Sequence, residues 1–219
     1  MKKLFLFLIA LHLFAADKIG ILNYKEGIVK IKHQNSIRKF SLNIGDQIFN
    51  KDEISTYNSI AEIILDDNST IKLDKYSTIK FIDNNISQTS GKVYYKITKR
   101  KQKRLNVATI FTNIGVKGTT FIVTTTPQKV SLKEGIVNLK AIKGEYEIHT
   151  KRLLNQFELY KLNINEQFSQ YKQNLYKEFI EYKKSFDLNP NYSVVFHGNK
   201  VYQEKLDIKE FEYFEKNFK

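Results

Sequence analysis

Between residues 18 and 148 the chain alternates apolar and polar positions in short bursts, with almost no recurrence at the three and four residue steps of a helix. Ala61, Ile63 and Leu65 share one face and Glu62 and Asp66 the other. Asp66 to Ser69, D-D-N-S, then turns the chain, and Ile71 and Leu73 return it. The same reading predicts strands over residues 19–23, 27–32, 36–42, 79–81, 93–97, 107–111, 119–125, 129–132, 136–139 and 146–149. Such close, regular spacing implies an all-β sandwich, barrel or solenoid.

Two strings refine this picture. Residues 113–123 read N-I-G-V-K-G-T-T-F-I-V, and the freedom of Gly115 and Gly118 predicts a sharp turn ahead of a strand that starts at Thr119. A partial repeat points to stacked coils: K-E-G-I-V-K-I at 25–31, K-E-G-I-V-N-L at 133–139 and the weaker G-K-V-Y-Y-K-I at 91–97.

Beyond residue 149 the pattern changes. Phe168, Tyr171, Leu175, Phe179, Tyr182 and Phe186 recur at helical steps and predict a helix over about 163–186, halted by Asn189-Pro190-Asn191. Its aromatic stripe is expected to dock on the β module, or else to bind a partner. A short strand at 192–196, a turn at 197–200, a return strand at Val201 and Tyr202, and a helix over 207–218 capped by Asp207 complete the reading. The fold class expected is mainly β: an all-β solenoid-like or sandwich module, then a small C-terminal α/β or α-helical appendage.

Lys2 and Lys3 followed by the apolar run 4–14 and Ala15-Ala16 have the layout of a secretory signal peptide, too short to span a bilayer as a helix. Cleavage is expected after Ala15. The divisions expected are therefore a signal peptide at 1–15, a β domain at 16–149 and a helix-rich region at 150–219. No cysteine occurs among the 219 residues, which removes disulfides, thiolate chemistry and a lipid anchor on cysteine. The 16 Phe and 13 Tyr supply apolar surface that a disordered chain lacks.

The net charge is +13, and its excess lies ahead of residue 150. It is densest at Lys96, Lys99, Arg100, Lys101, Lys103 and Arg104, the candidate binding residues, which could meet an acidic protein face or an anionic polymer. The same run also serves as a solvated loop in a Lys-rich, Asn-rich chain. Export argues against nucleic acid.

The search for catalytic chemistry returns little. His33, His149 and His197 are far apart and outside any metal-binding spacing, and no nucleophile elbow or phosphate-cradling loop occurs. Asp66, Asp67, Asp52 and Glu53 sit in turns, where such residues are expected for backbone reasons. No catalytic residue, metal or cofactor is assigned.

Taken in order, I-G-D-Q-I at 44–48, K-D-E-I-S-T at 51–56, S-I-A-E-I-I-L at 59–65, D-N-S-T-I-K-L at 67–73, S-G-K-V-Y-Y at 90–95, G-V-K-G-T-T-F-I-V at 115–123 and V-S-L-K-E-G-I-V at 130–137 resemble the FecR domain family. Three positions depart from its pattern: Asn68 in the hairpin, Tyr57 where glycine is common, and Lys117 where arginine is usual. Lysine cannot reproduce a bidentate arginine contact, so Gly115, Lys117, Gly118 and Thr119 are read as motif scaffold. The resemblance implies a periplasmic or secreted, non-catalytic interaction or signalling-adaptor module of a Gram-negative envelope. The partner implied is an envelope protein or, alternatively, cell-wall glycan or another anionic envelope polymer. With only a cleavable-looking signal ahead of the domain, no direct contact with a sigma factor is expected.

Overall fold

The computed structural model describes residues 17–83, 85–99, 105–153 and 176–218. The expected signal peptide, the stretch Arg100, Lys101, Lys103 and Arg104, and the predicted helix between 163 and 175 lie outside them.

The chain opens with β1 (Lys18–Glu26), β2 (Val29–Lys32), β3 (Phe40–Ser41), β4 (Gln47–Phe49) and β5 (Glu53–Thr56). Next come the hairpins β6 (Ile60–Leu65) with β7 (Thr70–Leu73) and β8 (Thr78–Ile82) with β9 (Asn85–Ser90), then β10 (Lys92–Lys96). Two more hairpins follow, β11 (Leu105–Ala108) with β12 (Asn113–Val116) and β13 (Thr120–Thr125) with β14 (Gln128–Glu134). The rest is β15 (Val137–Lys140), β16 (Tyr146–Leu153), β17 (Tyr176–Lys183), β18 (Ser185–Leu188), β19 (Tyr192–His197), β20 (Lys200–Lys205) and the helix α1 (Ile208–Asn217).

These strands form two sheets that the chain visits in alternation. The first has the order β17-β16-β20-β19-β14-β13-β10-β7-β6-β1-β4, the second β18-β15-β12-β11-β9-β8-β5-β2-β3. Leu22, Ile63, Ile71, Tyr95 and Phe121 of the first sheet meet Ile31, Ile54, Ile79, Phe81 and Ile114 of the second in one core. The result is a sandwich wound in solenoid fashion. Gln88, the one side-chain amide buried among the described residues, donates to the Gly91 and Val123 carbonyls and accepts from the Tyr95 hydroxyl at 2.9 Å, so its burial carries no unmet hydrogen bond.

The repeat seen in sequence is the corner between sheets. Gly27, Gly91 and Gly135 adopt φ of +83°, +84° and +84°, each where the chain crosses from one sheet to the other. At Gly135 a Cβ would sit 2.6 Å from Thr119 Cγ2 and 2.7 Å from the Gly118 carbonyl oxygen, so only glycine fits. In the D-D-N-S hairpin Asn68 takes φ +61°, the left-handed angle asparagine tolerates.

The middle of the first sheet is covered on its outer side as well. Phe211, Phe214 and Phe218 close over Ile60, Tyr94 and Ile122, with Tyr94 stacked on Phe214 at 5.6 Å. A ten-residue helix is marginal alone in water, so docking makes α1 stable, each buried phenylalanine contributing about 1.5–3 kcal/mol. Asp207 caps its start, accepting from the Lys209 amide at 3.1 Å. Lys72 caps its end from the sheet, donating to the Phe214 carbonyl at 3.0 Å while pairing with Glu62 at 3.3 Å. Glu62, polar by pattern, is therefore buried.

Two expectations need correction. Residues 176–186 are not helical: Tyr176–Lys183 pairs with β16 along eight residues, and Phe186 lies in β18. Residues three apart fall on opposite faces of a strand, so Phe179 and Tyr182 share no stripe and Tyr182 is exposed. Aromatic and β-branched residues suit a pleated sheet, and pairing outweighed the helical spacing. Second, Gly115 is no turn residue; it lies inside β12, and only Gly118 takes a left-handed angle, +65°. Residue 149, where the sequence pattern changes, lies inside β16, and β19 pairs directly with β14.

Candidate functional site

Among the described residues no element covers the outer face of the second sheet, and strict alternation makes it polar. Outward positions are Lys30 and Lys32, Glu53 and Ser55, Thr78 and Lys80, Asn85 and Ser87, Asn106, Asn113, Asn138 and Lys140, and Ser185 and Asp187; Ile82, Ala108 and Gly115 are the apolar ones within these strands.

Register aligns part of this face into one row. Asn85 pairs with Asn106, Asn106 with Gly115, Gly115 with Asn138 and Asn138 with Asp187, across β9, β11, β12, β15 and β18. At about 4.8 Å per strand the row is about 19 Å long. Asn106 Nδ2 donates to Asn85 Oδ1 at 3.0 Å, and Asn138 Nδ2 donates to Asp187 Oδ1 at 2.7 Å. Both Nδ2 groups are thus turned away from the glycine between them, while Asn106 Oδ1 faces it. A Cβ on Gly115 would meet Asn106 Oδ1 and Asn138 Cβ at 3.7 Å, ordinary contacts, and its backbone angles need no glycine. The missing side chain leaves a depression that the fold does not require. A glycine inside a strand often marks close approach of a ligand.

A groove of about 660 Å³ opens beside the row, lined by Lys99, Gly115, Lys117, Gly118, Ile136 and Asn138 among others. The fold brings the basic segment and the glycine string together here: Lys99 Cβ lies 3.1 Å from where a Cβ on Gly118 would be. Lys99 and Lys117 are exposed rim cations. Lys96 is also exposed, but it ends β10 in the first sheet. Thr119 is buried against Gly135 and belongs to the corner. Sequence reasoning missed Asn85, Asn106, Asn138 and Asp187. A signal existed in L-N-V and V-N-L, because asparagine is disfavoured inside strands and needs a reason there.

Elsewhere the acidic residues serve the backbone. Asp52 accepts from the Phe49 amide at 2.9 Å and pairs with His33 at 2.9 Å, and Asp67 accepts from the Ser69 amide at 3.0 Å. Glu53 pairs with Lys39 at 3.2 Å. Among the described residues no three histidines or carboxylates are grouped to hold a metal ion.

Residues 52–138 match the family model described as FecR protein. No curated protein matches the chain. Two crystal structures of a protein from Parabacteroides distasonis ATCC 8503, provisionally described as an anti-sigma factor, share the fold with TM-scores of 0.50 and 13% identity. The likeness covers 75% of this chain and 65% and 64% of those chains, so the chain spans just under two-thirds of their length.

Proposed function

We propose, with the FecR domain as premise, that the chain is an exported, non-catalytic binding module of an envelope signalling system, and that it engages its ligand on the outer face of the second sheet. One observation carries this reading: α1 covers the middle of the first sheet's outer face, over Ile60, Tyr94 and Ile122, while among the described residues no element covers the opposite face, which is polar from β2 to β18. Support also comes from the FecR match and from neighbours of anti-sigma type, whose fold the chain shares.

The absence of cysteine makes a clean test. Lys80→Cys and Lys140→Cys place single thiols on the open face, and Tyr182→Cys places one on the exposed strand β17. In cells with a permeabilised outer membrane, a bulky maleimide should label Tyr182→Cys fully and the other two slowly, with equal labelling once the protein is purified. Equal labelling in the envelope would sink the reading.

A further inference from the structure

The depression at Gly115 calls for an occupant of particular chemistry. Its two flanking strands place Asn106 and Asn138 about 10 Å apart, the width of a sugar ring with its substituents. Each side-chain amide keeps one N–H and its oxygen outside the internal bond, and Asn106 Oδ1 borders the depression with no partner among the described residues. The internal bonds to Asn85 and Asp187 hold these amides in place, so little side-chain entropy is lost on binding.

A protein partner would need a buried apolar or aromatic anchor. The row itself offers none: Ile82 lies beyond its Asn85 end, and the exposed Ile136 stands on the groove wall outside the row with no enclosed pocket around it. An uncharged sugar strand would leave Lys99 and Lys117 without a role; neither lysine forms an ion pair among the described residues, and both line the groove beside Gly115.

Resting on the binding face proposed above, we infer that this row is a subsite for an acidic glycan. One sugar ring sits over Gly115 with its hydroxyl or acetamido groups on Asn106 and Asn138. Its carboxylate or phosphate groups face Lys99 and Lys117.

Titration calorimetry of the full chain with alginate oligomers, neutral dextran oligomers and polyglutamate tests this. Alginate should bind at least tenfold more tightly than either of the others. Gly115→Val, whose outward side chain the strand accepts, should weaken alginate at least tenfold without lowering the thermal midpoint, and Lys99→Gln with Lys117→Gln should abolish the preference over dextran. Polyglutamate binding as tightly as alginate, or wild-type affinity in Gly115→Val, overturns the subsite in favour of charge alone. If no polysaccharide binds while the thiols at positions 80 and 140 stay shielded in the envelope, the subsite fails and the binding face stands. Loss of that shielding as well removes both.

Discussion

Gly115 and Gly135 look alike in the sequence, each standing before a β-branched residue, yet their surroundings separate them. Gly135→Ala forces a methyl into Thr119 and the Gly118 carbonyl at φ +84° and should destabilise by about 1–3 kcal/mol. Gly115→Ala has room and an ordinary backbone, so it should be neutral or stabilise by up to about 1 kcal/mol. Urea unfolding of the two variants checks the contrast. Local spacing announced both glycines, but only the third dimension shows which lies against another chain segment. The same holds for the amide row: Asn85, Asn106 and Asn138 are ordinary surface residues until register lines them up.

The helix α1 shows what an element owes to its neighbours. Truncating Phe214, fully buried between Tyr94 and Phe218, should cost about 3–5 kcal/mol in denaturant unfolding. Alkali should act on the same contact. Burial first, then the adjacent Asp74 carboxylate at 3.0 Å, pushes the Tyr213 hydroxyl up to about 12, and burial likewise raises Tyr94. A phenol whose folded pKa is raised stabilises the fold fully below its ordinary value near 10, and that stability is lost as pH climbs toward 12. Stability measured across this window should therefore fall, and Tyr213→Phe should make the fall shallower. The helix and its Asp207 cap were legible because a polar cap precedes an amphipathic run. The strand at 176–183 was not, since aromatics at steps of three and four suit a helix until pairing with β16 places successive side chains on opposite faces.

For the molecule as a whole, the β class and most strand positions were legible, because each half-buried strand alternates on its own. The order of strands was not, since alternation says nothing about partners. That order joins the regions on either side of residue 149, with β14 paired to β19 in one sheet, and a single unfolding transition is expected by calorimetry. Deleting residues 207–218 should bare Ile60, Tyr94 and Ile122 and produce self-association, visible by size-exclusion chromatography with light scattering. The same arrangement governs the order of synthesis. Every strand beneath α1 precedes it in the chain, and Lys72 waits 142 residues for the carbonyl it caps. Until the helix emerges, the growing chain carries an uncovered aromatic patch, a handle by which a chaperone can hold it unfinished.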